Sequence, residues 1–205
     1  AGIPRPVADP LAAVGPVESA ALYREPNALA PDYSAFDVGR RLLLTGHSHQ
    51  AWPDCARAGL LRAWDDAAQH VDRKWEYAEA AAQRVRAGFA RLLGDSPDHI
   101  ALGANTHELL VRLLSALPLR DRPRLLTTDG EFHSARRQLA RLEEEGIEII
   151  RIPSARADEL APRLAAALDA RTAAVLVSAV LYADARIVPG LGELARACER
   201  EGVPL

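Results

Sequence analysis

The turn from Gly103 to Glu108 carries residue types that can bind an anion. It follows the apolar run 99–102 and precedes a helical pattern of leucines that ends at Leu117. The first amides of a helix have no intrahelical partner and the macrodipole favours negative charge, so a strand, a turn and a helix start form an anion cradle. The Thr106 hydroxyl can cap the helix and also donate to a phosphate oxygen. Asn105 and Thr106 equally fit an ordinary N-cap, which is the favoured interpretation of the turn taken alone.

Two later strand ends carry an aromatic ring and a hydroxyl. Phe132 lies among polar residues at a strand-to-helix turn, where it can stack on a flat ligand or tuck beneath the next helix. Ser178 ends a later strand and can donate to a ring substituent, although a hydroxyl satisfied by backbone is the favoured interpretation. His133 can act in acid–base chemistry or cap its helix.

Other motifs are weak or missing. The His47-Ser48-His49 turn has no nearby Cys, Asp or Glu to complete a metal site, so we expect no metal. His70 lies between Trp64 and Trp75, where an exposed helical histidine and a substrate contact both fit. The sequence lacks GxGxxG after a strand, GxxxxGK[ST] and GxSxG, which argues against dinucleotide, P-loop and hydrolase-elbow sites.

The elements that must position these residues alternate along the chain. Their continuous apolar strands predict an α/β fold with a mostly parallel sheet and helices on both faces. The predicted strands are 99–102, 124–128, 147–152 and 173–178, and the predicted helices are 106–117, 133–145, 158–168 and 189–201.

Two segments precede this α/β part. Residues 1–41 form a Pro- and Ala-rich arm, and residues 42–97 form a helical segment that includes an amphipathic helix over 78–93. Residues 98–205 are then the first, incomplete part of the α/β domain. Glycine followed by apolar residues at 202–205 is how the earlier strands begin, so we expect the sequence to be a portion of a longer protein.

Composition and charge limit the kinds of partner that the protein can bind. The 205 residues carry a net charge of −3 with basic residues scattered among acidic ones, which argues against nucleic acid. No apolar run approaches the roughly 20 residues of a membrane span. Cys55 and Cys198 form no CxxC, so a reduced cytoplasmic setting is the default. Lys74 is the only lysine among 25 Lys and Arg residues.

In order and spacing, these motifs resemble the class V branch of the fold type I pyridoxal-phosphate (PLP) enzymes, and within it the kynureninase-like group. The resemblance covers residues 42–205. It implies that Asn105 and Thr106 bind the cofactor phosphate. It further implies that Phe132, in the Glu-Phe-His-Ser motif that ends at Ser134, stacks on the pyridine ring and that Ser178 approaches the ring hydroxyl.

The same resemblance places Ser48 and His70 on the substrate side. Two positions depart from the kynureninase pattern: Ala135 replaces an Asp, and Ala183 lies where a phosphate-binding Tyr is frequent, with Tyr182 beside it. These departures weaken the expectation of a kynurenine substrate more than that of the cofactor.

The resemblance implies an enzyme of amino-acid metabolism that is kynureninase-like and cleaves a C–C bond hydrolytically, and that works as a homodimer on a small amino-acid substrate. PLP needs a Schiff-base lysine and a carboxylate at its pyridine nitrogen. Both are expected beyond Leu205, so no catalytic residue is assigned in this sequence. The rivals are an aminotransferase or cysteine desulfurase-like enzyme of the same class, and a non-catalytic α/β binding module.

Overall fold

The computed structural model describes residues 29–41, 43 and 50–205. The chain divides into two compact units, Ala1–Leu102 and Gly103–Leu205. The described helices are α1 (Asp54–Gln69), α2 (Lys74–Leu93), α3 (Thr106–Ser115), α4 (His133–Glu144), α5 (Ala157–Ala166) and α6 (Leu191–Arg200), and the strands are β1 (Arg124–Thr128), β2 (Glu148–Ile152) and β3 (Thr172–Val175). Short 3-10 helices cover Ala30–Phe36, Val38–Arg40, Val71–Arg73 and Pro97–His99.

The second unit is built on a parallel sheet of the three described strands in the order β2-β1-β3. The strand β1 pairs with β2 in continuous register from Arg124 opposite Glu148. Its pairing with β3 shifts by one residue after Arg124, so that Leu125 lies opposite Ala174. On the other side of β3, the Val175 amide donates to the Pro204 carbonyl over 2.9 Å. Among the three described strands, β1 is the central one, because it pairs with both others.

Helices cover both faces of this sheet, as the continuous apolar strands predict. Successive side chains of a strand point to opposite faces. Leu125 packs with Leu114 of α3 and Leu139 of α4, whereas Leu126 packs with Leu160 of α5 and with residues of α6. Each fully buried leucine contributes about 1.5–3 kcal/mol by leaving water. Two apolar layers thus hold β1 between two pairs of helices.

One predicted strand is wrong. Residues 99–102 do not pair with any described strand, because Pro97 begins a 3-10 turn that runs through His99. The Ser96 hydroxyl caps this turn by accepting from the Asp98 amide. The strand expected at 173–178 is shorter than predicted and ends at Val175. The other two predicted strands and the four predicted helices of this unit are confirmed, with ends that differ by up to two residues.

The first unit contains the predicted amphipathic helix, which begins earlier than expected, at Lys74. It ends at Leu93 because Gly94 adopts a left-handed conformation (φ 67°) that favours glycine. The apolar side chains Val85, Phe89 and Leu92 are exposed, and Ala90 is the buried residue of this helix.

Part of the N-terminal expectations cannot be compared with the structure. Most of the predicted arm over 1–41 and the turn that contains Ser48 lie outside the described residues. The described end of the arm forms two short 3-10 helices. No helix among the described residues is long and apolar enough to cross a membrane.

An ion cluster joins the strands at their amino-terminal ends. The Arg124 guanidinium donates to both oxygens of Glu148 over 2.9 and 3.1 Å, and it also binds Asp169, which precedes β3. Arg171 binds Glu148 over 3.0 Å. The hydrogen bond from Arg124 holds the pKa of Glu148 below its usual range, despite the opposing effect of burial.

This depressed pKa predicts how acid affects stability. A carboxyl whose folded-state pKa is lowered stabilises the fold above its unfolded pKa of about 4.3, and the contribution is lost as the pH falls through the folded value. We therefore expect Glu148→Gln to lower the free energy of unfolding at neutral pH and to reduce its fall toward acid pH. Urea titrations over a pH series measure both effects. Glu199→Gln on the exposed side of α6 is the control, and equal pH slopes for wild type and Glu148→Gln would contradict the prediction.

Candidate functional site

Three predicted site residues of the second unit, Phe132, Ser134 and Ser178, lie where the parallel strands end. We call this region, residues 128–134, 152–155 and 176–188, the carboxyl edge. Ligands of open α/β sheets bind outside this end of the strands. Helix α4 follows β1 directly, and α3 precedes β1 across a short connection, so both helices point their N-termini toward the carboxyl edge.

A buried carboxylate organises this edge. Glu131 is 4% exposed, and its Oε1 accepts from the Thr128 hydroxyl (2.7 Å) and from the Ser178 amide (3.0 Å). Its Oε2 accepts from the Ser178 hydroxyl over 2.5 Å. A buried carboxylate is costly without such donors. Glu131 therefore joins the end of β1 to the segment after β3.

Ser178 is satisfied by a side chain and not by backbone, which was the favoured interpretation of the sequence. Its hydroxyl is bound neither to a backbone carbonyl nor left without a partner, because it donates to the Glu131 carboxylate. The residue is half-buried, so one side of the hydroxyl remains near solvent. The contact of Ser178 with a ring hydroxyl stays a prediction.

An aromatic cluster lies beside this carboxylate. The Phe132 ring is 43% exposed and meets the Tyr182 ring edge-on at 4.9 Å between centroids. The His133 ring lies 4.0 Å from Phe132 and is tilted by 44°. The Phe132 ring is therefore not tucked beneath α4, which was the alternative interpretation of the sequence. Phe132 presents an exposed aromatic surface on which a flat ligand can stack.

Further hydrogen bonds tie the loops of the edge together. Asp129 accepts from the Ser154 amide over 2.7 Å, which joins the end of β1 to the end of β2. A Cβ at Gly130 would lie 2.8 Å from the Ser154 hydroxyl, so this close approach requires glycine. Arg186 donates to the carbonyls of Ser154 and Ala155 over 3.0 and 2.7 Å. Val180 and Ile187 form an antiparallel bridge that closes a short hairpin around Tyr182. The bonds of Arg186 hold this hairpin against the loop after β2.

The start of α3 has the N-cap that the sequence predicted at Asn105 or Thr106. Asn105, not Thr106, is the N-cap: its side-chain oxygen accepts from the Glu108 amide over 2.9 Å. Thr106 is the first helical residue and is exposed. The amides of Thr106 and His107 have no intrahelical partner, as at any helix start. Two amides and one hydroxyl can therefore reach an anion here.

A carboxylate shares this helix start. Glu108 accepts from the Ala104 amide over 2.9 Å, and Arg112 binds its other oxygen over 2.5 Å. This arrangement is close to a capping box, in which a Glu at the third helical position reaches back to an amide before the helix. Its negative charge opposes the binding of a phosphate at the same amides.

The remaining predicted residues are placed as follows. Ser134 is half-buried in the first turn of α4, two residues after Phe132. His70 lies in the first unit at the end of α1, where its ring stacks on Tyr77 at 4.3 Å and 9°. Ser48 lies outside the described residues. The substrate contacts expected of His70 and Ser48 stay predictions.

Glu131 is the residue whose role the sequence did not reveal. Its partner Ser178 is 47 residues away, so no local pattern predicts the contact. The available hint was Thr128, a hydroxyl three residues before an acidic residue at the end of an apolar strand. Over the described part of the chain, no three His, Cys, Asp or Glu side chains come together as a metal site.

Comparison with known proteins identifies the fold. No family model matches the chain, and no curated protein does. Fourteen chains of solved structures match it. One of them is a lysine-to-alanine mutant of C-DES with glycine covalently linked to the PLP cofactor, at 20% identity and a TM-score of 0.64. The match covers 74% of this chain and 41% of the C-DES chain.

The expected fold class is thereby confirmed: the chain shares the fold of this PLP-linked C-DES structure, with a parallel sheet and helices on both faces. It spans less than half the length of the C-DES chain that it matches. The side chains present fit such a cofactor. An exposed ring and a half-buried hydroxyl lie at the end of the sheet where open α/β folds bind ligands, and the start of α3 offers two amides and a hydroxyl for an anion.

The charge at the start of α3 gives a test of this anion site. We expect Glu108→Gln to bind inorganic phosphate about threefold to tenfold more tightly, because one nearby like charge costs on the order of 1 kcal/mol near a surface. Amide chemical shifts of Thr106 and His107 during a phosphate titration measure the affinity. Glu199→Gln is the charge-matched control on α6. Unchanged affinity in Glu108→Gln, or equal gains in both variants, would contradict an anion site at this helix start.

Proposed function

We propose that this chain carries the cofactor-binding edge of a PLP-dependent enzyme that acts on amino acids. The observation that carries the proposal is the carboxyl edge itself, where Glu131 holds Ser178 beside the exposed ring of Phe132. The fold shared with C-DES supports PLP as the ligand of this edge.

Each residue then has a distinct task. The Phe132 ring stacks on the pyridine ring and shields one face from water. The Thr106 hydroxyl and the first amides of α3 hold the phosphate, while Ser178 contacts the ring hydroxyl and Ser134 lies at the start of α4 on the same edge. When bound, PLP supplies an electron sink for bonds at the α-carbon of an amino acid.

The substrate class is inferred from two observations. In the C-DES structure an amino acid, glycine, is covalently linked to the cofactor. In this chain the Glu-Phe-His-Ser motif that contains Phe132 resembles the kynureninase form. We therefore propose an amino acid as substrate and a kynurenine-type amino acid as the first to test, with Ser48 and His70 on the substrate side.

The Schiff-base lysine is not assigned to this chain. Lys74 begins α2 in the first unit, and its ammonium lies 5.6 Å from the centroid of the Trp75 ring. It is part of no motif that matches the family, so the covalent step needs a lysine from elsewhere in the protein. A homodimer in the cytoplasm remains part of the proposal.

Two rival functions are separated by simple assays. An aminotransferase or cysteine desulfurase-like enzyme would turn over keto acids or cysteine in place of kynurenine. A non-catalytic α/β module would turn over none of them and would leave no lysine that borohydride reduction couples to PLP. Cleavage of kynurenine by the PLP-loaded protein supports the kynureninase-like proposal.

The stacking role predicts a loss of affinity. We expect Phe132→Ala to weaken the binding of pyridoxine 5'-phosphate about threefold to tenfold, because a ring–ring contact contributes about 0.5–1.5 kcal/mol beyond its buried area. This ligand has no aldehyde, so its binding needs no lysine. Phe132→Tyr should retain the affinity, and Phe89→Ala, at an exposed phenylalanine of α2, is the control. Equal affinities for wild type and Phe132→Ala by calorimetry would rule out stacking on Phe132.

A further inference from the structure

The hydroxyl of Ser178 has one proton, and its contact with Glu131 uses that proton. The oxygen lies 2.5 Å from Oε2 of Glu131 and donates to it. A serine hydroxyl is one donor with two acceptor lone pairs. With its proton committed to Glu131, Ser178 can only accept a hydrogen bond from a ligand.

The groups that bind Glu131 are all donors. Three donors converge on it, namely the Thr128 hydroxyl, the Ser178 amide and the Ser178 hydroxyl. An ionised carboxylate is an acceptor only, which is the form that this set of donors satisfies. Burial at 4% exposure keeps water from replacing Ser178 as the donor.

The other charged groups of the edge are engaged elsewhere. Asp129 accepts from the Ser154 amide, and Asp184 accepts from the Arg186 guanidinium over 2.7 Å. Arg186 is directed to the carbonyls of the loop after β2. His133 packs against the Phe132 ring. Glu131 is thus the charge that acts directly on Ser178.

We propose that Glu131 is a positioning residue that makes Ser178 an obligate hydrogen-bond acceptor, so that the site binds the protonated form of a ligand's ring hydroxyl. A ring phenolate would meet no donor at Ser178 and would lie near a carboxylate of like charge. This inference rests on the proposed function, because it takes the ring hydroxyl of a PLP-type ligand as the partner of Ser178.

Pyridoxine 5'-phosphate tests the proposal, since its ultraviolet absorption distinguishes the phenol from the phenolate. A pH titration of the bound ligand gives the pKa of its ring hydroxyl. We expect this pKa to lie about one unit or more above that of the free ligand in the wild-type protein. In Glu131→Gln the shift should disappear, because the charge is gone and Ser178 is free to donate.

Ser178→Ala is a second variant that tests the same role of Glu131, including the case in which Glu131→Gln does not fold. This variant retains the Glu131 charge but removes the acceptor, so the pKa of the bound hydroxyl should rise less than in wild type. Binding with a hydroxyl pKa at or below that of the free ligand would overturn the role of Glu131 and leave the proposed function standing. Failure of wild type to bind the ligand would overturn both.

Discussion

The carboxyl edge depends on one buried carboxylate, Glu131. A carboxylate removed from water must be matched by donors, and here the end of β1 and the segment after β3 each supply them. The requirement fixes two neighbours at once: Ser178 is held against Glu131, and Phe132, the next residue of the chain, is left with its ring exposed. A ring and a hydroxyl on different strands are thereby brought to one end of the sheet. The arrangement suits a flat, hydroxyl-bearing ligand, which is the physical basis of the proposed function.

A second set of bonds holds the surrounding loops. Asp129 and Arg186 both reach the loop after β2, one through the Ser154 amide and the other through two carbonyls. All three strands are therefore joined at the end where the side chains are needed. At the opposite end, Arg124 joins the same strands through Glu148 and Asp169. The sheet between these two ends is covered on both faces by leucine-rich layers. The side chains of the carboxyl edge therefore project from a sheet that is held at both ends.

The sequence predicted most of the sheet and its helices, together with part of the carboxyl edge. Apolar runs and glycine stops indicated β1, β2 and the helices α3 to α6, because their burial and periodicity are local properties. The strand expected at 99–102 was wrong, since a serine-capped proline turn competes for its first residue. The helix cap was expected at Asn105 or Thr106 and is supplied by Asn105, because both residue types cap helices and only the backbone distinguishes them. The role of Glu131 could not be predicted, because burial of a carboxylate depends on a partner 47 residues away.

The central claim is that a PLP-type ligand binds at the carboxyl edge of this sheet. A crystal structure of the protein with pyridoxine 5'-phosphate tests it most directly. The account predicts the pyridine ring against Phe132, the phosphate at the start of α3 near Thr106, and the ring hydroxyl within hydrogen-bonding distance of Ser178. Density for the ligand at any other place, with no ligand contact at Phe132 or Ser178, would contradict the account.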